Sequence, residues 1–235
     1  MTGMTSSTAP TPSTPSSAAE RAALSHGQSD PRLHRWVASL LERAGASGGT
    51  LLDVGCGGGA LAGAVRGRFQ RYLGCDLVAY EGFPRDGGAA FVQADLDRPP
   101  YPLEPGAAEA VVSVETIEHL ENPRAFVREL ARLVKPGGTV LLTTPNQLSL
   151  LSKLTLVTRN QFNAFQEAPG LYPAHLTALL EVDLRRIARE AGLADVQVHY
   201  SGFGRIPFTA RPWPRPLGGR AFSDNVALLA RRPRT

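Results

Sequence analysis

Two cysteines, Cys56 and Cys75, are too few for a disulfide framework, so the 235 residues must fold around a buried core, and a reducing compartment follows. No stretch approaches the ~18 consecutive apolar residues that span a bilayer. Met1 to about Ser29 is rich in Ser, Thr, Pro and Ala but lacks the basic start and apolar centre of a secretory signal. This tail reads as disordered, and residues 30–235 as one domain of a cytoplasmic protein. No internal repeat is visible, which removes solenoid architectures. With 43% hydrophobic residues, the chain can fill one α/β core but not two comfortable ones.

The organising stretch is Leu51-Leu52-Asp53-Val54-Gly55-Cys56-Gly57-Gly58-Gly59, an apolar run that ends on an acid and breaks into glycines. A buried strand feeding a turn without side chains lets backbone approach a ligand, with a helix beginning near Gly59 and running through Val65. Gly55-x-Gly57-x-x-Ala60 also fits the loose dinucleotide fingerprint, with Asp76 lying 23 residues after Asp53. Asp53 tips the reading away from a dinucleotide, because a carboxylate at that strand end repels a pyrophosphate. S-adenosylmethionine (SAM) carries an ammonium and a cationic sulfur, and a carboxylate suits it.

Asp30-Pro31 starts a helix whose Leu33, Trp36, Val37, Leu40 and Leu41 share a face. Strands are expected at Thr50 to Val54, Arg71 to Cys75, Ala90 to Ala94, Ala110 to Val114 and Thr139 to Thr144. The first three run up to or contain acids at their ends, Asp53, Asp76 and Asp95, which belong on the edge where open parallel sheets bind ligands. Asn122-Pro123 starts a helix that Lys135-Pro136-Gly137-Gly138 ends. Alternating strands and helices predict a parallel sheet covered on both faces. Gln147 to Pro173 has apolar residues without a period and reads as a lid, Leu176 to Ala191 as a helix, and Asp195 to Tyr200 and Asn225 to Ala230 as strands. Residues 203–222 form a second long connection. From Ser201 onward seven arginines face one acid, Asp224, either as a solvated surface or for an anionic substrate or partner.

Together, Asp53 to Gly59, Asp76, Asp95, Val114-Glu115-Thr116-Ile117-Glu118-His119-Leu120, Lys135 to Gly138 and Thr143-Thr144-Pro145-Asn146 resemble the class I SAM-dependent methyltransferases of the type 11 and type 23 families. The resemblance spans about Thr50 to Leu193. It implies an α/β, Rossmann-like, seven-stranded, mostly parallel sheet of order 3-2-1-4-5-7-6 with helices on both faces. Strand seven would be antiparallel and supplied by Asn225 to Ala230. It also implies SAM as cofactor. Asp53, Gly55, Cys56, Gly57 and Gly59 would hold its methionine end, Asp76 with Leu77 the ribose, and Asp95 with Leu96 the adenine edge. Val114 and Glu115 would complete the cofactor site.

Methyl transfer from a sulfonium is largely a matter of alignment, and a general base matters only where the acceptor must lose a proton. His119, His175 and Glu115 are the candidates for that work. Glu115-x-x-Glu118-His119 plus a distant histidine also resembles the metal cluster of small-RNA 3′-terminal 2′-O-methyltransferases and of metal-dependent ubiquinone-pathway O-methyltransferases. A cation on Glu115, Glu118, His119 and His175 is therefore the alternative to a metal-free site. His175 could equally be a structural histidine at a helix start.

The expected activity is SAM-dependent methylation of an oxygen or nitrogen on a small acceptor. Phe162, Phe165, Tyr172, Phe203, Arg205, Phe208 and Trp213 would suit one that is flat or anionic. The alternatives are metal-dependent methylation of RNA ends, for which no RNA-binding module is recognisable, and a non-catalytic SAM-binding regulator or partner subunit.

Overall fold

The computed structural model describes residues 29–85, 87–166, 175–207, 209, 211–214 and 217–234. The expected tail before residue 29, Tyr172, Phe208 and part of the expected lid lie outside these residues.

In chain order the elements are α1 (Pro31–Arg43), β1 (Thr50–Val54), α2 (Ala60–Ala64), β2 (Arg71–Asp76), β3 (Ala89–Gln93), β4 (Ala108–Val114), α3 (Pro123–Leu133) and β5 (Val134–Pro145). These are followed by α4 (Leu150–Arg159), α5 (Glu181–Glu190), β6 (Ala194–Tyr200) and β7 (Asn225–Arg231), with a short 3-10 turn at Ile117–His119. The strands form one seven-stranded sheet of order β3-β2-β1-β4-β5-β7-β6, and β7 runs antiparallel to both neighbours. This is the topology the resemblance implied.

Each sheet face carries its own apolar layer. Leu51, Ala110, Val112, Val114 and Leu141 pack against Leu33, Val37, Leu40 and Leu41 of α1 and Leu61 of α2. On the other face Leu52, Val54, Val111, Val140, Leu142 and Leu228 meet Phe126, Val127 and Leu130 of α3 and Leu184 and Ile187 of α5. A side chain such as Phe126, fully buried here, contributes about 1.5–3 kcal/mol by leaving water. The helix starts follow the sequence. Asp30 accepts from the Arg32 amide at 2.8 Å, and Asn122 accepts from the Ala125 amide at 3.0 Å, each with proline as the next residue.

Several boundaries differ from expectation. The helix after the glycine turn is only five residues long and stops before Val65. Lys135 to Gly138 lie inside the span of β5, past the end of α3 at Leu133. There the pairing with β4 shifts between Ala108 and Ala110, and a Cβ on Gly138 would come within 2.7 Å of the Glu109 carbonyl oxygen. The segment read as an aperiodic lid contains α4, capped by Ser149, whose hydroxyl accepts from the Ser152 amide at 3.1 Å. The next helix begins only at Glu181, because the Leu176 and Thr177 amides instead donate to the Glu118 carbonyl at 2.7 and 3.0 Å. Among the described residues no helix is long and apolar enough to cross a membrane.

Candidate active site

The carboxyl ends of β1, β2 and β4 and the turns that follow them carry most of the residues singled out in the sequence. Asp53 is the fourth of five residues in β1 and is buried, on the face that also carries Tyr72. Its Oδ2 accepts from the Tyr72 hydroxyl, while its Oδ1 is buried without a hydrogen-bond partner. Burial pushes this carboxyl up to about 7, opposed by the Tyr72 hydrogen bond and aided by the negative Asp76.

After Asp53 the backbone enters the left-handed region at Gly55, Gly57 and Gly59. At Gly55 an alanine is excluded twice over. Its φ is +79°, and a Cβ would fall 2.1 Å from Oγ1 of Thr116, which closes over the turn. Gly57 donates its amide to Oδ2 of Asp76 at 2.8 Å, and the other carboxylate oxygen accepts from the Leu77 amide at 2.7 Å. Asp76 thus ties the glycine turn to the end of β2; its Oδ1 also receives the Val78 amide at 3.5 Å, and its Oδ2 keeps a further lone pair. Cys56 is buried and free, with burial and the neighbouring acids holding its thiol far above the range in which thiolates form.

Asp95 sits two residues past β3. One oxygen accepts from the Asp97 amide at 3.0 Å, and the other lies 3.4 Å from the Arg98 guanidinium, so this acid also shapes its own turn. Leu96 beside it is buried, and its carbonyl accepts from the Tyr101 hydroxyl at 2.9 Å.

Val114 ends β4. Glu115 then takes a φ of +49°, uncommon for a residue with a side chain. Its amide is held by Thr143, and its Oε1 accepts from Nδ2 of Asn225 at 2.8 Å. Three residues on, Glu118 is fully buried. Its Oε2 accepts from the Thr144 hydroxyl at 3.1 Å, and its Oε1 has no partner. Burial first, and then the nearby Glu115, raise its carboxyl well above the ordinary range.

His119 and His175 meet edge to face, ring centroids 4.6 Å apart, and Phe165 lies 5.4 Å from His175. Nδ1 of His175 is 2.6 Å from the Ala164 carbonyl oxygen; a carbonyl only accepts, so Nδ1 bears the proton and Nε2 keeps its lone pair. Burial lowers the pKa of this imidazole, which keeps it neutral. Because α5 starts only at Glu181, His175 is not a helix-start residue. One ligand atom each from Glu118, His119 and His175 lie within 4.8 Å of one another, a spacing that suits a cation. Glu115, expected as a fourth ligand, is not in this group, and Asn225 holds its carboxylate elsewhere.

Sequence reasoning missed Tyr72, Thr144, Ala164 and Asn225. Two of them left a trace, Thr144 within the Thr143 to Asn146 run that carries the resemblance and Asn225 as a polar residue opening an otherwise apolar strand. Of the expected acceptor aromatics, Phe203 packs against Trp36 at 6.3 Å beneath the Arg32 guanidinium, and Trp213 packs against Phe222 at 5.0 Å. Arg205 pairs with Asp224 at 3.2 Å.

This sheet order, with a glycine turn after its central strand and acids along the same edge, defines the class I methyltransferase fold. Residues 26–198 match the family described as a methyltransferase domain, and the chain belongs to that family. A ubiquinone biosynthesis O-methyltransferase of Thiobacillus denitrificans is 33% identical over 170 residues, covering 70% of this chain and 71% of that protein. The protein of the same name from Pseudomonas paraeruginosa is 38% identical over 112 residues, 45% of this chain, and the match spans about half (48%) of the relative's length. Among solved structures, the putative methyltransferase complexed with the Trm112 activator of Haloferax volcanii superposes with a TM-score of 0.60 at 18% identity, covering 86% of this chain and 91% of that one. A putative methyltransferase of Bacillus halodurans gives a TM-score of 0.56 at 17% identity, covering 84% and 98%.

Proposed function

We propose that the chain binds SAM in the crevice from Asp53 to Asp95 and methylates an oxygen of a small hydroxylated acceptor. The observation that carries this reading is the buried, unpartnered Oδ1 of Asp53 next to a turn without side chains, a vacancy that an ammonium would satisfy. The backbone of Gly55, Cys56, Gly57 and Gly59 would receive the methionine end, Asp76 with Leu77 the ribose hydroxyls, and Asp95 with Leu96 the adenine edge. Val114 and the strained Glu115 would floor the site.

When bound, SAM supplies a methyl group on a cationic sulfur, and transfer to a hydroxyl releases that hydroxyl's proton. His175 is suited to take it, with Nδ1 anchored on Ala164 and Nε2 the basic nitrogen of a neutral ring. His119, packed against it, would orient the acceptor, and Phe165 offers an apolar wall. The relatives being ubiquinone biosynthesis O-methyltransferases by name, a hydroxylated aromatic ring is the acceptor to try first. Neither RNA ends nor a non-catalytic role is favoured by relatives named as small-molecule O-methyltransferases.

One observation favours a second reading of the acceptor side. Oε1 of Glu118 is buried without a partner beside two imidazoles, and a divalent cation on Glu118, His119 and His175 would satisfy it. Such an ion would orient the acceptor's oxygens, with His175 serving as a ligand instead of a base.

Methyl-labelled SAM offered with a panel of phenols and catechols, with and without chelator, tests both readings. Chelator-resistant turnover supports His175 as base. Loss of turnover that magnesium or manganese restores supports the cation. A protein that binds SAM yet methylates none of these compounds contradicts the acceptor class.

A further inference from the structure

Tyr72 is the second residue of β2, and its ring is buried on the α1 and α2 side of the sheet, 5.9 Å from that of Phe83, which in turn lies 5.3 Å from Phe91. In the β1 to β2 register Tyr72 is opposite Leu51 and Gly74 is opposite Asp53, so the phenol reaches diagonally along one face to the carboxylate. A buried carboxylate ordinarily gathers several donors. Asp53 has one, the Tyr72 hydroxyl on Oδ2, and nothing on Oδ1. We propose that Tyr72 is a positioning residue for the cofactor's amino-acid end, turning Asp53 so that Oδ1 is left for the ammonium and holding the carboxylate in its charged form.

This rests on the SAM reading above. The groups that bear on Asp53 are Tyr72, Asp76 and Cys75 from β2 and Cys56 from the turn, and none is a cation. Burial and Asp76 both favour the protonated acid, whereas the Tyr72 hydrogen bond opposes them. The phenol itself stays protonated, since burial and Asp53 raise its pKa far beyond the working range. It is a permanent donor.

The test is titration calorimetry between pH 6 and 8.5 with two ligands, S-adenosylhomocysteine, which carries the amino acid, and methylthioadenosine, which lacks it. Tyr72→Phe removes one oxygen and keeps the ring. A one-unit rise in the Asp53 midpoint, from about 7, leaves roughly a tenth of the carboxyl ionised at pH 7 instead of half. The variant should therefore bind S-adenosylhomocysteine about fivefold more weakly at pH 7, approach wild type by pH 8.5, and bind methylthioadenosine unchanged. Equal losses for both ligands, or an unshifted pH profile, overturn the proposal. Wild-type protein produced with 3-fluorotyrosine, a stronger donor, should move the midpoint the other way, and an unmoved midpoint counts against the proposal even if Tyr72→Phe does not fold. Asp53→Asn separates the two layers. If it leaves S-adenosylhomocysteine affinity intact, the assignment of the methionine end has failed, whatever Tyr72 does.

Discussion

The imidazole of His175 stands edge-on to that of His119, with ring centroids 4.6 Å apart and planes at 74°. The first arrives from the stretch before α5, tied by Leu176 and Thr177 to the Glu118 carbonyl, and the second closes the turn after β4. Two distant parts of the sequence thus bring two imidazoles into contact. His175→Ala should lower kcat by about 10²–10⁴ while leaving S-adenosylhomocysteine affinity within twofold. An unchanged kcat would remove His175 from the chemistry.

If Glu118, His119 and His175 hold a cation, Glu118→Gln should abolish binding of manganese measured by calorimetry, because a neutral amide cannot replace the charge. The same substitution in a metal-free site should leave the protein folded and indifferent to manganese, as is the wild type.

Asp53 links stability to pH. Its folded-state carboxyl titrates at about 7 against an ordinary 3.8, so the native state retains a proton that the unfolded chain gives up. The resulting stabilisation is complete below about pH 4 and is lost as the pH rises through about 7. Its upper limit is about 4 kcal/mol. Scanning calorimetry should show Tm falling between pH 5 and 7.5 more steeply in wild type than in Asp53→Asn. Parallel curves would exclude Asp53 as the source.

Glu129 is buried in α3, where it accepts from the Tyr101 amide at 2.8 Å and pairs with Arg132 at 2.6 Å. Glu129→Ala strands the Tyr101 amide and leaves Arg132 with the Tyr101 and Leu103 carbonyls, and should cost about 2–4 kcal/mol in urea unfolding. Asp30→Ala, which breaks an exposed pair with Arg32, should cost about 1 kcal/mol, most of it the lost helix cap.

Gly55→Ala should be destabilising and should weaken cofactor binding, from both its φ and the clash with Thr116. Adding Thr116→Ala removes Oγ1 and Cγ2 but leaves the residue's Cβ 2.8 Å away and the backbone strain in place, so at least about 1–2 kcal/mol should remain in the double variant.

The strands of the parallel half and the glycine edge were legible because they rest on local signals: apolar runs, proline and asparagine at helix starts, and acids at strand ends; the order of the strands came from the family resemblance, since no local signal encodes it. The acceptor side was not. α4 escaped notice because its apolar residues, among them Leu150, Leu156 and Val157, do not all face a core, so the helical period carried no single stripe. The pairing of Asn225 with Glu115 joins residues far apart in sequence, and no spacing rule encodes it. The Lys135 to Gly138 run carried the chemistry of a helix stop, but α3 already ends at Leu133, and the run's inclusion in β5 follows from pairing with β4, a tertiary effect.

β7 lies between β5 and β6 although it follows both in the chain. During synthesis, β5 and β6 therefore emerge with their mutual partner still to come, each presenting an unsatisfied row of amides and carbonyls. Glu115 likewise waits for Asn225. A ribosome paused before residue 225 would carry a nascent chain with an open seam between β5 and β6, the stage at which an attending chaperone would matter most.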